Sequence, residues 1–251
     1  MTLVVDGLTV RFGETVAVDD VSFTVGETER LGIIGASGSG KSVTSLAVAG
    51  LLSETATVTG SIRLAGKELV GLPEREYRKL RGSQLSMIFQ EPMTALDPTM
   101  HVGRQIAEVI ALHRSSTGKR STVEAELERV GISDPQRVAN SYPHQLSGGQ
   151  RQRALVAMAI VNRPGLVICD EPTTALDVIV QRQILHVLDD VLTDRAALFI
   201  SHDLAVVREI CPRAIVMQHG RIVEEGPVDQ LVESPGHEYT ARLVAAARGE
   251  A

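Results

Sequence analysis

The segment that most restricts the possible folds is a glycine-rich octapeptide that matches G-x-x-x-x-G-K-[ST]. It lies between an apolar stretch predicted to be a strand, Glu29 to Ile34, and a proline-free stretch predicted to be a helix, Lys41 to Leu51. In that context the backbone N–H groups and the positive helix end bind phosphate. Lys41 is expected to reach the β- and γ-phosphates, and Ser42 to ligate Mg²⁺. The alternative is a flexible turn, but strand, loop and helix together favour nucleotide binding. The residues are Gly35, Ala36, Ser37, Gly38, Ser39, Gly40, Lys41 and Ser42.

An acidic pair follows a second apolar run. Leu166 to Cys169 is predicted to be a buried parallel strand, and Asp170 and Glu171 follow it directly. Because parallel strands end at the same sheet edge, the pair should lie beside the phosphate loop. Asp170 is then expected to hold magnesium, usually through water, and Glu171 to accept a proton from the water that attacks the γ-phosphate. Taken alone, an Asp-Glu pair is more often a solvated turn.

A second glycine-containing helix start lies between these two segments. Ser147 is predicted to be an N-cap, and two glycines after it expose backbone amides ahead of an apolar helix, Ala154 to Ile160. Such a start is a second anion site, although one ATP does not need two sites in one small chain. The purely structural alternative is a capped helix. The residues are Leu146, Ser147, Gly148, Gly149 and Gln150.

These three segments, with Leu146 to Gln150 after the phosphate loop and before Asp170 and Glu171, resemble the motifs of ABC ATPases, and the resemblance extends almost end to end. It implies an α/β fold: a P-loop NTPase (RecA-like) core with a mainly parallel sheet, an N-terminal antiparallel β-subdomain and a helical subdomain insert. A single ABC ATPase domain is expected over 1–251. Residues 1–90 and 159–251 would form the catalytic core with the β-subdomain, and about 91–158 the helical subdomain with the signature motif Leu146 to Gln150.

The resemblance also implies roles for four further residues. Phe12 would stack on adenine, although an aromatic residue also serves packing. Gln90 would reach the magnesium and the attacking water. Asp177 would report across a dimer, and His202 would contact the γ-phosphate, although a lone histidine is more often structural. The signature motif would contact the ATP of a partner subunit, so ATP and Mg²⁺ are expected between two ABC ATPase subunits, identical or different.

Three segments are similar to the branch of the family that serves peptide, nickel and metallophore importers. They are Gln90 to Pro98 with Tyr142 to Leu146, and the stretch Ser234 to Thr240. Glu238 stands where many members have proline, and the sequence ends soon afterwards without a cysteine-bearing tail. In this respect the chain resembles the shorter nickel and metallophore members more, and peptides, nickel and a metallophore all stay candidate substrates. The transported substrate is not predicted by the sequence, because this subunit need not touch it.

Composition restricts the partners. The 251 residues carry a net charge of -6, only 3% are aromatic and none is Trp, so neither the basic surface nor the stacking platforms of nucleic-acid binding are expected. The N-terminus alternates like a strand rather than a signal peptide, and the longest apolar stretches fall short of a membrane span. We expect a cytoplasmic protein, peripheral on the membrane, with transmembrane permease subunits and a solute-binding protein as partners. Cys169 and Cys211 are expected to be inert core thiols.

Periodicity predicts the remaining elements. Thr99 to Ile132 has helical spacing and forms the expected insert, with apolar residues on one face. Its predicted exposed face is marked by Glu124, Glu126, Glu128 and Arg129. The predicted strands are Leu3 to Phe12, Ala17 to Val25, Thr57 to Leu64 and Ala196 to Ile200, and a helix is predicted over Val178 to Val191.

Two alternatives remain at this stage. A soluble ABC-type ATPase acting on DNA or the ribosome would carry the same motifs, although such proteins usually have two cassettes, inserted coiled coils or basic arms. A P-loop kinase acting on a small molecule would leave Leu146 to Gln150 unexplained.

Overall fold

The computed structural model describes residues 2–89, 95–113, 122–174 and 176–248. The strands are β1 (Leu3–Phe12), β2 (Thr15–Val25), β3 (Arg30–Ile34), β4 (Ala56–Leu64), β5 (Lys67–Glu68), β6 (Leu85–Ile88), β7 (Leu166–Asp170), β8 (Ala196–Ser201), β9 (Arg213–Gln218) and β10 (Arg221–Pro227). The helices are α1 (Lys41–Ala49), α2 (Glu74–Leu80), α3 (Val102–Leu112), α4 (Val123–Arg129), α5 (Pro135–Ala139), α6 (Gly148–Ile160), α7 (Val178–Leu192), α8 (Leu204–Ile210), α9 (Val228–Glu233) and α10 (Glu238–Arg248).

The N-terminal sheet is antiparallel and has the strand order β2-β1-β4-β5. Along β1 the alternating sequence buries Leu3, Val5, Leu8 and Val10, as a strand with one face on the core requires. The predicted strands in this region agree with the observed ones to within two residues. This sheet is the antiparallel β-subdomain that the sequence predicts.

The central sheet has the order β10-β9-β3-β8-β7-β6. All neighbours from β9 to β6 are parallel, and only β10 pairs antiparallel, as a hairpin with β9. β7 and β8 are buried at every position, which explains their continuous apolar sequences. Because successive side chains alternate, Leu166 and Ile168 join a core shared with the N-terminal sheet and α1, whereas Val167 and Cys169 join a core shared with α6 to α10. The expected α/β fold, with a mainly parallel sheet covered on both faces, is confirmed.

The helical insert is formed by α3, α4 and α5 and leads into α6. The prediction that Glu126 lies on the exposed face is wrong, because its side chain is buried at 5% exposure, with Arg129 as a distant ion partner at 3.9 Å. α4 has only seven residues and packs against α3, α5 and α6, so more than one of its faces is covered. Glu124, Glu128 and Arg129 are exposed as predicted.

Both cysteines are buried thiols, one in β7 and one directly after α8. Burial raises the pKa of Cys169, and it raises that of Cys211 to about 12. Both thiols therefore stay protonated at neutral pH, in agreement with the expectation of inert core residues. No helix in the described part of the chain combines the length and apolarity that crossing a bilayer requires.

Candidate functional site

The glycine-rich loop connects β3 directly to α1. Gly40 is the N-cap of α1, with a φ of 104° and no side-chain cap, so the first amides of the helix are not covered by a side chain of that residue. A Cβ atom on Gly35 would lie 2.3 Å from the carbonyl oxygen of Met217 in β9. The backbone approaches its neighbours too closely for any other residue at these two positions. The loop is therefore held in a defined shape against the sheet edge.

Lys41 starts α1 and is buried at 5% exposure. Its ammonium group donates hydrogen bonds to the carbonyl oxygens of Gly35, at 2.7 Å, and Ala36, at 3.0 Å. Burial lowers the pKa of Lys41, while the carboxylates of Glu171 and Asp170 act in the opposite direction. A cation is thus enclosed by its own loop, at the position where the sequence predicts phosphate.

Asp170 is the last residue of β7 and faces α1. Its two carboxylate oxygens accept hydrogen bonds from the hydroxyl groups of Ser42, at 3.2 Å, and Ser45, at 3.1 Å. Burial raises the pKa of Asp170, and Glu171 adds to this, whereas the two serines and Lys41 oppose it. A buried carboxylate next to a hydroxyl group is a set of hard oxygen donors, the kind that Mg²⁺ prefers. The described residues contain no group of three or more His, Cys, Asp or Glu side chains that could hold a metal ion.

Glu171 follows Asp170 and has a φ of 47°, which is rare for a residue other than glycine. Its Oε2 atom accepts a hydrogen bond from the Thr174 hydroxyl, at 2.8 Å, and lies 3.0 Å from Nδ1 of His202. His202 comes directly after β8, and its side chain is 58% exposed, against 13% for Glu171. The ends of neighbouring strands therefore bring together a carboxylate and an imidazole that are 31 residues apart.

A cavity with a volume of about 1020 Å³ opens beside these groups. It is lined by residues 36–43 of the loop and α1, and by Glu171 and His202. Further lining residues were not predicted from the sequence; they are Thr15, Val16, Ala17, Thr174, His219 and Gly220. His219 and Gly220 form the β9–β10 turn, and both have positive φ values. A two-residue turn with glycine at its second position is typical of a hairpin. That pattern predicts the turn but not its place beside the loop, which the bond from the Gly220 N–H to the Ser39 carbonyl, at 3.0 Å, establishes.

Two predicted ATP-binding residues lie outside the lining of the cavity. Gly35 is buried behind the loop. Phe12 is half-buried against the core of the N-terminal sheet and pairs in register with Thr15, which does line the cavity. Phe12 is therefore next to the cavity rather than in its wall, and its stacking on adenine stays a prediction. Gln90, the third predicted catalytic residue, lies outside the described residues.

The signature residues form a separate feature, and none of them lines the cavity. The hydroxyl of Ser147 accepts a hydrogen bond from the N–H of Gln150, at 3.3 Å, and the Gln150 side chain accepts one from the N–H of Ser147, at 3.2 Å. This capping box confirms Ser147 as the N-cap of α6. Ser147 and Gly148 are exposed, whereas Leu146 is buried. The start of α6 is therefore open to solvent.

Asp177 is the N-cap of α7 and accepts hydrogen bonds from the N–H groups of Ile179 and Val180, both at 3.0 Å. The next two side chains, Val178 and Ile179, are 71% and 72% exposed. An exposed apolar pair therefore follows the cap of α7 directly. A role of Asp177 in a dimer remains a prediction.

Both the sequence and the structure of the chain are similar to those of known ATP-binding proteins. The sequence model of the family described as "ABC transporter" matches residues 18–174. The chain is 49% identical over 239 residues, 92% of its length, to the peptidoglycan transport ATP-binding protein YejF of Agrobacterium fabrum, of which it spans 44%. It is 46% identical over 246 residues, 93% of its length, to a putative peptide import ATP-binding protein of Brucella melitensis, of which it spans 72%. The chain thus covers less than half of the first relative.

One solved structure is similar over most of the fold. It is the dimeric, post-hydrolysis state of the ATP-binding cassette MJ0796 bound to ADP and Pi, with a TM-score of 0.77 and 26% sequence identity. The similarity covers 90% of this chain and 98% of that one. The overall fold described above is therefore shared with a nucleotide-binding protein.

Proposed function

The chain belongs to the ABC transporter family, and from this premise we propose that it is the ATP-binding and ATP-hydrolysing subunit of a transporter that imports peptides. The observation that carries the proposal is the cavity lined by the phosphate loop with Lys41, Glu171 and His202 at the end of a parallel sheet, with Asp170 bonded to Ser42 beside it. A cavity of about 1020 Å³ is large enough for a nucleotide.

In this proposal the loop and α1 bind the phosphates of ATP. The Lys41 ammonium group exchanges its bonds to the Gly35 and Ala36 carbonyls for phosphate oxygens, which are stronger acceptors. Ser42 and Asp170, with Gln90, would hold Mg²⁺, which neutralises charge on the β- and γ-phosphates when it is bound.

Glu171 is the proposed general base. As the water oxygen bonds to the γ-phosphorus and the bond to the β–γ bridging oxygen breaks, the water proton passes to the Glu171 carboxylate and ADP leaves with the electron pair. Thr174 and His202 fix the orientation of that carboxylate through the bonds at 2.8 and 3.0 Å. The exposed His202 ring also reaches the cavity, where it would contact the γ-phosphate.

We propose further that two such subunits close around ATP. The signature residues lie outside their own chain's cavity, so a nucleotide that they contact has to belong to a partner. The similar cassette MJ0796 is a dimer with ADP and Pi bound. Leu146 to Gln150 of one subunit would then face Gly35 to Ser42 of the other, with Asp177 near the junction.

The remaining partners follow from the relatives. Both proteins named above are transport ATP-binding proteins, one for peptidoglycan and one for peptide import. Permease subunits in the membrane and a solute-binding protein are therefore proposed, with this chain on the cytoplasmic face. These names favour a peptide-like substrate over nickel or a metallophore, and they favour a transporter over a soluble ATPase that acts on DNA or the ribosome.

Replacing Glu171 with Gln tests the proposal. The variant should retain ATP binding and lose about 10²-fold or more in turnover, because a positioned general base contributes that much. With Mg-ATP and the proper partner subunit, it should accumulate as a dimer in size-exclusion chromatography. In cells that depend on this chain, uptake of labelled peptide should fall in parallel. Glu209→Gln, on the exposed face of α8, is the matched control. Unchanged turnover in Glu171→Gln would refute the role of this residue.

A further inference from the structure

One hydrogen bond joins the phosphate loop to the C-terminal helix. The backbone N–H of Ala36 donates to the hydroxyl oxygen of Tyr239 in α10, at 2.8 Å, across 203 residues of sequence. None of the roles proposed above uses Tyr239. The loop is thus held by a residue far outside the segments that carry the predicted nucleotide chemistry.

This bond changes the part that Ala36 can play. Its carbonyl oxygen accepts hydrogen bonds from the Lys41 ammonium group, at 3.0 Å, and from the N–H of Ser39, at 3.2 Å. Its N–H is directed to Tyr239. Both polar groups of the Ala36 backbone are therefore engaged by the protein, which makes Ala36 an anchor of the loop rather than a donor to phosphate.

Tyr239 is itself held firmly. It is 8% exposed and belongs to the core that includes Val207 and Ile210 of α8. Its aromatic ring also lies beneath the guanidinium group of Arg242, at 5.9 Å. A buried aromatic side chain has few rotamers to lose, so its hydroxyl group is a rigid reference point for the loop.

The turn before α10 is fixed to the central sheet in the same way. The carboxylate of Glu224, in β10, accepts hydrogen bonds from the N–H groups of Gly236, at 2.7 Å, and His237, at 3.1 Å. His237 then accepts a hydrogen bond at Nδ1 from the N–H of Tyr239, at 3.1 Å. A continuous series of hydrogen bonds thus runs from β10 through the turn to Tyr239 and the phosphate loop.

We propose that Tyr239 is a positioning residue for nucleotide binding, whose hydroxyl group holds the start of the phosphate loop in the shape that accepts phosphates. The inference rests on the proposed function. A loop that is already ordered loses less conformational freedom when the ligand binds, and this difference appears as affinity. Tyr239 need not touch the nucleotide and acts only through Ala36.

The test is the variant Tyr239→Phe, which removes one oxygen atom and keeps the ring. The affinity for ADP, measured by calorimetry, should fall by about 3- to 10-fold, the range that one neutral hydrogen bond gives. Turnover at saturating ATP should change by less than about 2-fold, because no group in contact with the reacting atoms is altered. Without nucleotide, the peptide that contains Ala36 should exchange its amide hydrogens faster, whereas the peptides of β7 and β8 should not.

Tyr77→Phe is the matched control, because Tyr77 is equally buried, at 7% exposure, and lines a different, smaller cavity near α2. It should leave ADP affinity unchanged. The inference is overturned if Tyr239→Phe binds ADP as the parent chain does, if exchange near Ala36 is unaltered, or if Tyr77→Phe weakens binding equally. If the parent chain itself binds neither ADP nor ATP, the proposed function fails, and this inference fails with it.

Discussion

The starts of α1 and α6 share a glycine-rich sequence but differ in their surroundings. Gly40 gives α1 no side-chain cap, and the buried groups of Lys41 and Asp170 surround its first turn. Ser147 caps α6 together with Gln150, and this start is exposed. Both helices have the same partial positive charge at their N-termini. The helix dipole alone therefore does not make a complete site, because enclosure and fixed charges distinguish the first helix start from the second.

The two glycines of the signature motif differ in a similar way. A Cβ atom on Gly149 would lie 2.8 Å from Cγ1 of Val180, so the packing of α6 on α7 already requires glycine there. Among the described residues, a Cβ atom on Gly148 would meet only Leu176, at an ordinary 3.6 Å. Nothing in the packing of this part of the chain demands glycine at position 148, so a close approach by a partner's nucleotide is the physical reason we propose.

The largest effect, on ATP affinity, is expected for the variant Lys41→Ala. It removes the buried cation from the first helix start, and ATP affinity should fall by about 10²-fold or more, as expected when one partner of a buried, hydrogen-bonded charge pair is lost. Calorimetry with ATP measures this. Lys79→Ala is the control, because the Lys79 side chain is 60% exposed and distant in sequence from the site residues. Equal affinity in both variants would remove the distinction between the two helix starts.

The variant Gly148→Ala tests whether a partner's nucleotide approaches the start of α6. The chain should remain as stable as the parent or slightly more so, because alanine is a better helix former by up to about 1 kcal/mol. The affinity of the isolated subunit for ADP should be unaffected, since Gly148 lies outside its cavity. Hydrolysis with the partner subunit should fall by at least about 10-fold, because displacement of bound ATP by about 1 Å can cost up to ~10²-fold.

Gly165→Ala is the control for that substitution, since its Cβ atom would also meet only an ordinary contact, at 3.8 Å. Thermal unfolding and steady-state hydrolysis are measured for both variants. Hydrolysis that stays at the parent rate in Gly148→Ala would contradict the role of a partner's nucleotide at this helix start.

The smallest expected effect is a change in Tm caused by the buried carboxylate of Asp170 beside α1. Burial raises the pKa of Asp170, so the ionised carboxylate destabilises the folded chain at neutral pH, and this cost disappears as the pH falls through the raised pKa. Asp170→Asn should therefore raise the Tm of the nucleotide-free chain at pH 7.5 by no more than about 4 °C, the shift given by about 1 kcal/mol in a chain of this size. Below about pH 4, where the carboxyl group is protonated in the folded and the unfolded chain, the gain should vanish. Asp190→Asn, 66% exposed, is the control, and a Tm gain that does not depend on pH would contradict this account.

Much of the site could be predicted because its determinants are local. The pattern around Gly35 to Ser42 specifies a strand, a loop and a helix, and the apolar runs before Asp170 and His202 specify buried strands. Parallel strands end at one edge, so the acidic pair was expected beside the phosphate loop, and Glu171 does line the same cavity as the loop. Ser147 was predicted as a cap from its sequence context alone, and the structure confirms it.

The elements, their alternation and the chemistry at the strand ends could thus be inferred from the order of the residues. The contacts between residues that are distant in sequence could not. The Tyr239 hydroxyl on Ala36, the β9–β10 turn beside the loop and the burial of Glu126 all depend on how elements pack in three dimensions. Periodicity reports which face of an element is apolar, but it carries no information on which distant side chain will lie against that face.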